Sequence, residues 1–211
     1  MASRLSRLLN FSVAAVSIFI TAPLMVLIAA AIKLTSHGPV FYAQDRVGVD
    51  RRNWNGVQPD SRRVDDKGGR IFKIYKFRTM TVGSDQHGQV WASPDDKRVT
   101  SVGRFLRSSR LDELPQLFNV LLGDMNIVGP RPEQPEIFRF LRDRIDRYPE
   151  RQRVLPGITG LAQVNQAYDR TLDDVRSKVG YDLEYIERRG PIGDLWIMIK
   201  TLPVVLKRLG W

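Results

Sequence analysis

Residues Phe11 to Ile32 read FSVAAVSIFITAPLMVLIAAAI and carry no charge. As a straight helix rising about 1.5 Å per residue this stretch would be about 33 Å long, enough for a bilayer core of about 30 Å. A helix of a soluble domain is seldom apolar all round. Pro23, near the middle, removes a backbone donor and crowds the preceding turn, which predicts a bend or break there. Arg4 and Arg7 precede the stretch, and Lys33, Arg46, Arg51 and Arg52 follow it, so both ends favour the cytoplasmic side. A helix that enters and leaves by one leaflet satisfies the proline and the charges, whereas an ordinary span satisfies only the length. A signal peptide cleaved at Ala29-Ala30-Ala31 would have an unusually long, proline-interrupted apolar region. These features alone leave the three readings open.

The whole chain has 211 residues, with 33 Lys+Arg against 23 Asp+Glu, a net charge of +10, 43% hydrophobic residues and no cysteine. That composition favours one folded domain and argues against a disulfide-stapled mini-protein or a disordered tail. The length allows a sizeable core without a metal staple. The positive excess points to an anionic partner, whether nucleic acid, an anionic membrane face or a phosphorylated substrate.

Beyond the apolar stretch, His37-Gly38-Pro39 reads as a turn, and Val40 to Gln44 as a short strand. Val49 to Arg70 is polar and glycine-containing, a surface loop. Ile71 to Phe77 alternates as the strand partner of the first. Helical periodicity begins near Ser101 and is interrupted by loops at Gly123, at Gly129-Pro130-Arg131-Pro132 and at Pro156 to Gly160. Ile137, Phe138, Leu141, Ile145 and Tyr148 recur at helical spacing, with Arg139, Arg142, Arg144 and Arg147 on the other faces. This is a basic amphipathic helix, suited to a core-packed position or to an anionic membrane surface. Thr171 and Asp174 resemble a capping pair before Leu172, Val175, Val179, Leu183 and Ile186, and Gly190-Pro191 ends that helix. The C-terminal stretch from Asp194 to Trp211 mixes tryptophans with Lys200, Lys207 and Arg208, as an interfacial anchor or a core helix with a basic tail would.

There is no phosphate-binding P-loop, dinucleotide fingerprint, His-Glu-x-x-His or cysteine ligand, and His37 and His87 are the only histidines. What remains is carboxylate and guanidinium chemistry. Asp112-Glu113 precedes Leu114-Pro115 and an apolar helical run from Gln116, which places the pair at a helix N-terminus. A plain cap would read the same way. Its surroundings add to the pair, because Arg104, Arg107 and Arg110 precede it and Arg131 follows on a proline-flanked turn. Arginines bind phosphate bidentately and let an anionic carboxylate approach a diphosphate. Lys76 and Arg78 alternate along the second strand and project to one face, which a solvated strand face would explain equally.

Taken in order, Gly38-Pro39-Val40-Phe41, Gln44 to Gly48, Lys76 to Met80, Val102 to Arg107, Leu111 to Leu117, Gly123-Asp124-Met125, Val128 to Glu133 and Pro156 to Val164 resemble the bacterial sugar transferases, the monotopic polyprenyl-phosphate phosphoglycosyl transferases. The resemblance covers most of the chain. It implies an α+β, mainly helical fold, membrane-monotopic, with an N-terminal proline-broken re-entrant helix over residues 1–35, a small β-hairpin element and amphipathic interfacial helices. Residues 36–211 would form the cytoplasmic catalytic domain, of the small catalytic-domain-only type. The location implied is the inner leaflet of the bacterial inner membrane, with the catalytic domain on its cytoplasmic face.

The same resemblance implies a ping-pong reaction. Asp112 would attack the sugar-linked phosphate of a UDP-sugar, release UMP and pass the phosphosugar to a polyprenyl phosphate, initiating exopolysaccharide, O-antigen, capsule or glycoprotein glycan assembly. Glu113 would hold Mg2+, a hard cation suited to oxygen ligands. Lys76, Arg107 and Arg131 would engage phosphates or nucleotide, with Arg78 beside Lys76. Asp182 matches a family acid and joins the substrate-binding set. Many members carry Ser-Pro at the helix break where this chain has Ala22-Pro23, leaving Thr21 to take up the freed backbone acceptor. The alternatives are a catalytically silent membrane-bound scaffold and a basic binding protein. Nucleic acid is disfavoured by the lack of an aromatic single-strand platform or a groove-reading motif. A homodimer through the basic helices is compatible with the sequence and specified by nothing in it.

Overall fold

Helix α1 runs from Arg4 to Thr35 without interruption in the computed structural model, which describes residues 4–50, 68–84, 96–166 and 171–206. The break expected at Pro23 is therefore corrected: the proline lies inside a continuous helix. Thr21 does not take up the Phe19 carbonyl that Pro23 leaves without its donor. Its hydroxyl donates instead to the Ser17 carbonyl at 2.7 Å. What carries the helix past the proline is packing, because Asn10, Ala14, Met25, Ile28 and Ile32 are buried along one side. Their spacing follows the helical repeat, so a single stripe faces the domain along most of the helix. The other side is apolar and open, with Leu8, Phe19, Ile20, Val26 and Leu27 exposed.

Both ends of α1 are tied to the rest of the fold. Near the start, Asn10 Oδ1 accepts the Ile127 N–H at 2.6 Å, and Arg7 Nη1 donates to the Val120 carbonyl at 3.1 Å. Past the end, the Arg78 guanidinium donates to the Ser36 and His37 carbonyls and to the Ser36 hydroxyl.

Strands β1 (Phe41–Val47) and β2 (Ile71–Phe77) form the expected antiparallel pair, with Phe41 opposite Phe77 and Val47 opposite Ile71. Phe72 and Ile74 enter the core and Lys73 stays exposed, as period-two alternation requires. Val49 and Asp50, expected in a surface loop, are buried, because the pairing continues through Gly48 N–H to the Arg70 carbonyl at 2.8 Å. Residues 51–67 of that loop, His87, and the tail with Lys207, Arg208 and Trp211 lie outside the described residues. Helix α2 (Ser101–Ser108) is capped by Thr100, whose hydroxyl accepts the Gly103 N–H at 2.9 Å. Helix α3 (Gln116–Leu122) lies against β2, where Asn119 Nδ2 donates to the Lys73 carbonyl at 2.7 Å and Oδ1 accepts the Tyr75 N–H at 3.0 Å.

A second sheet replaces what read as plain turns. β3 (Asn126–Val128) and β4 (Gly157–Thr159) pair in parallel, each too short to show alternation. Their crossover contains α4 (Pro135–Arg142) and a 3-10 turn, Tyr148–Arg153. The basic amphipathic helix is thus shorter than its periodicity predicts. Ile145 and Tyr148 are buried beyond its end, and Arg147 reverses the chain in a left-handed conformation at φ 60°. Gly157 is required at the crossing, since a Cβ there would collide with the Gly129 backbone nitrogen. The main core gathers Val120, Met125, Val128, Phe138, Tyr148, Val179 and Leu183 around this sheet.

Short helix α5 (Leu161–Asn165) leads to α6 (Leu172–Arg188), which opens on the expected capping box of Thr171 and Asp174. In α7 (Pro191–Leu206), Ile197 packs inward, Ile192, Leu195, Trp196, Ile199 and Leu202 are exposed, and Lys200 Nζ sits 3.9 Å from the Trp196 ring centre.

Tyr185 on α6 joins α7 to β3: its hydroxyl lies 2.9 Å from Asp194 Oδ1 and 3.1 Å from the Val128 carbonyl. One hydroxyl proton cannot serve two acceptors fully, so the Asp194 carboxylate is incompletely satisfied as an anion. Burial pushes the Asp194 carboxyl above its ordinary value of 3.8. The folded state then holds more protons than the unfolded one above that value, and stability falls as pH rises through the folded pKa. Asp194→Asn is expected to gain thermal stability relative to the parent at pH 7 compared with pH 4. A difference in melting temperature that stays constant across this range would exclude the assignment.

Candidate active site

Three segments far apart in sequence meet at one carboxylate. Arg110 adopts a left-handed conformation, φ 55°, and turns the chain into a 3-10 turn, Leu111–Glu113. That conformation is uncommon for a residue with a side chain and is held only where surrounding structure imposes it. Asp112 and Glu113 therefore occupy a turn of their own, and Pro115 caps α3 after it, one turn later than the sequence pattern suggests. Both acids are buried, at 7% and 8% exposure.

Glu113 Oε1 accepts Lys76 Nζ at 3.1 Å and Arg131 Nη2 at 2.5 Å. Its Oε2 has longer contacts, to Arg131 Nη1 at 3.4 Å and Arg110 Nη1 at 3.9 Å. Burial opposes ionisation of this carboxyl, but the Arg131 and Lys76 charges, the Arg131 hydrogen bond and Arg110 together outweigh it and hold the group well below the usual range. Asp112 is the reverse case. No hydrogen bond or ion pair to its carboxylate forms among the described residues. Burial pushes its pKa up, opposed by Lys76 and assisted by the neighbouring Glu113 charge. Two adjacent acids are thus driven apart, one fixed and anionic, the other unbonded and destabilised as an anion, which suits two different roles.

Helix α2 adds another cation. It approaches the end of β2 so closely that a Cβ on Gly103 would strike the Thr79 carbonyl. Arg107 Nε donates to the Thr79 hydroxyl at 2.9 Å, and its terminal nitrogens make no hydrogen bond among the described residues. Such a fork, anchored at Nε, is suited to an anionic ligand.

Of the residues singled out in the sequence, Lys76, Arg131, Asp112 and Glu113 come together, and Arg107 acts on Asp112 through its charge. Arg78 and Asp182 do not join them. Arg78, 7% exposed, has its terminal nitrogens on the end of α1. Asp182, 2% exposed, receives Arg151 Nε at 2.6 Å. Arg46 and Arg151 were not singled out as site residues, yet they donate to the Pro132 and Arg131 carbonyls at 3.1 and 3.0 Å. Arg46 stood within a recognised motif, whereas Arg151 is one of many arginines in a basic stretch and its acid lies on another helix.

No group of three or more His, Cys, Asp or Glu side chains suited to a metal occurs among the described residues. Mg2+, however, is commonly held by one or two carboxylates with phosphate oxygens and water completing its shell. The more lightly engaged Glu113 Oε2 supplies such a carboxylate oxygen, so the residues fit an ion whose remaining ligands are phosphate oxygens and water.

The sequence profile of the family described as bacterial sugar transferase matches residues 1–208. The chain is similar to a UDP-N-acetylgalactosamine-undecaprenyl-phosphate N-acetylgalactosaminephosphotransferase of Aeromonas hydrophila, 41% identical over 210 residues, covering 98% of this chain and 44% of that protein. It is similar to a UDP-glucose:undecaprenyl-phosphate glucose-1-phosphate transferase of Klebsiella pneumoniae, 39% identical over 198 residues, covering 93% of this chain and 38% of that protein. A protein of Caulobacter vibrioides with the same description is 39% identical over 202 residues, covering 95% of this chain and 69% of that one. The chain thus spans less than half the length of the Aeromonas and Klebsiella relatives.

The unequal environments of the two acids have opposite consequences for stability. Asp112→Asn removes a buried, unpaired charge and is expected to leave the melting temperature at pH 7 unchanged or raised. Glu113→Gln leaves Lys76 and Arg131 facing a neutral group. With Arg131 32% exposed, the loss should be about 2 kcal/mol, below the cost of breaking a fully buried pair. Denaturant unfolding of both variants measures this, and equal losses would exclude the distinction.

Proposed function

We infer that this chain, which belongs to the bacterial sugar transferase family, transfers a phosphosugar from a UDP-sugar to a polyprenyl phosphate. The observation that carries the reading is the pairing of a cation-locked Glu113 with an unbonded Asp112. A nucleophile must be free to move its electron pair to phosphorus, and Asp112 is the acid that no side chain holds. Burial makes its carboxylate more reactive, because less solvation is lost on attack.

In the proposed course, an Asp112 carboxylate oxygen bonds to the sugar-linked phosphorus, and the bond from that phosphorus to the bridging oxygen breaks. UMP departs with that oxygen. A phosphate oxygen of the polyprenyl phosphate then bonds to the same phosphorus, and the Asp112–phosphorus bond breaks, returning the carboxylate. Arg107 and Arg131 would hold the phosphate oxygens and Lys76 would offset the charge of Glu113, so that an anion can approach an anion. Glu113 would hold Mg2+, which when bound neutralises charge on the diphosphate.

A lipid phosphate and a water-soluble donor meet only at a membrane surface. Helix α1 supports such a location, because the helix from Leu5 to Thr35 contains an 18-residue window with a mean hydropathy of 2.5 and one apolar side of the helix is open. Contacts near both of its ends with the same domain favour a monotopic placement over a free span. Basic residues at both flanks favour the cytoplasmic face.

Protein held in nanodiscs with Mg2+ and a panel of UDP-sugars, without acceptor, should release UMP in an amount equal to the enzyme. Addition of polyprenyl phosphate should convert this burst into turnover, and Asp112→Asn should abolish both. UMP release that requires acceptor would exclude the ping-pong course, and silence with every donor would exclude the transferase reading.

A further inference from the structure

The turn that carries Arg131 is held by its backbone carbonyls. Gly157 N–H donates to the Pro130 carbonyl at 3.0 Å, Arg46 Nη1 to the Pro132 carbonyl at 3.1 Å, and Val47 N–H to the Glu133 carbonyl at 2.9 Å. The carbonyl of Arg131 itself is taken by Arg151 Nη2 at 3.0 Å. Arg151 is 1% exposed and places its other nitrogens on Asp182, 2.6 Å from Nε, and on the Tyr148 hydroxyl, 2.9 Å from Nη1. Glu133, 4.0 Å from Arg151, accepts Lys178 Nζ at 2.9 Å. The carboxylates of Asp182 and Glu133 thus face Arg151 and Lys178, and the Arg46 charge also acts on Glu133.

Burying such a network is expensive, and apolar side chains of similar volume would commonly stabilise the fold as well. Its geometry offers what apolar packing cannot. A planar guanidinium fixed at two corners directs its third donor at one carbonyl. That carbonyl belongs to the residue whose side chain locks Glu113. We propose that Arg151 and Asp182 are positioning residues for the transfer reaction: anchored in α6, they set the backbone of Arg131 so that its guanidinium meets Glu113 and the donor phosphates. This gives Asp182 a task without substrate contact. The proposal rests on the transferase reading for its kinetic consequence, but the placement of Arg131 is testable without it.

The pair is replaced together, Arg151→Met with Asp182→Leu, so that no charge is left buried alone, and thermal unfolding confirms the fold. Arg151→Lys is the second variant, since it keeps a cation for Asp182 but cannot also reach Arg131 and Tyr148. Phenylglyoxal modification, followed by peptide mass spectrometry, reads the hold on Arg131, with exposed Arg104 as the internal reference. Arg131 should be modified several-fold faster in both variants, and an unchanged rate in a folded variant overturns the proposal.

The kinetic arm compares UMP release in the parent and in an Arg131→Ala background. The paired replacement should lower kcat about tenfold or more with Arg131 present and change it little with Arg131 absent. Equal losses in both backgrounds would show a merely structural role and overturn it. A parent protein that releases no UMP would count against the transferase reading alone, because the modification experiment does not depend on turnover.

Discussion

Burying the Glu113 carboxylate would cost several kcal/mol if it were left unpaired, and its cations are remote in the chain. Lys76 arrives on β2 and Arg131 on the turn after β3. The two must be brought to the same carboxylate oxygen on a turn that neither adjoins in sequence. Much of the fold serves this. Asn119 ties α3 to β2 by two hydrogen bonds, Gly103 lets α2 lie against Thr79, and the parallel pairing of β3 with β4 fixes where the Arg131 turn begins.

The apolar helix belongs to the same arrangement. Its Asn10 accepts an N–H from β3, a few residues before Arg131, and the end of α1 is gripped by Arg78, next but one to Lys76. Lys76 and Arg131 therefore each come from a segment that α1 also holds. An element with an open apolar face is in this way mechanically continuous with the buried acid. Removing α1 would take buried residues from both hydrophobic clusters, since Ala14 packs in one and Met25, Ile28 and Ile32 in the other.

Parts of the fold with a local cause were legible beforehand. The hairpin showed in the alternation of Ile71 to Phe77, α6 in the Thr171 and Asp174 capping box, and α1 in its uncharged length. Other parts depend on contacts between distant residues. Strands β3 and β4 have no periodicity of their own and exist because each pairs with the other. The helix ending at Arg142 read as longer because Ile145 and Tyr148 kept the spacing, although they reach the core by way of a reversal at Arg147. Pro23 predicted a break by its local chemistry, and the packed stripe on both sides of it kept the chain helical.

The same division runs through the site. Sequence by itself determined the donor set, an adjacent Asp112 and Glu113 among arginines with Lys76 on a strand, because motif order and residue chemistry are written along the chain. Only the tertiary structure decided which acid is locked and which is left unbonded, and that Arg78 and Asp182 turn to α1 and Arg151 instead of joining the cluster. The reason is physical: an ion pair depends on where a side chain ends in space. For these residues that position follows from strand register, a left-handed turn at Arg110 and the packing of α6, none of which has a signature at the residues concerned.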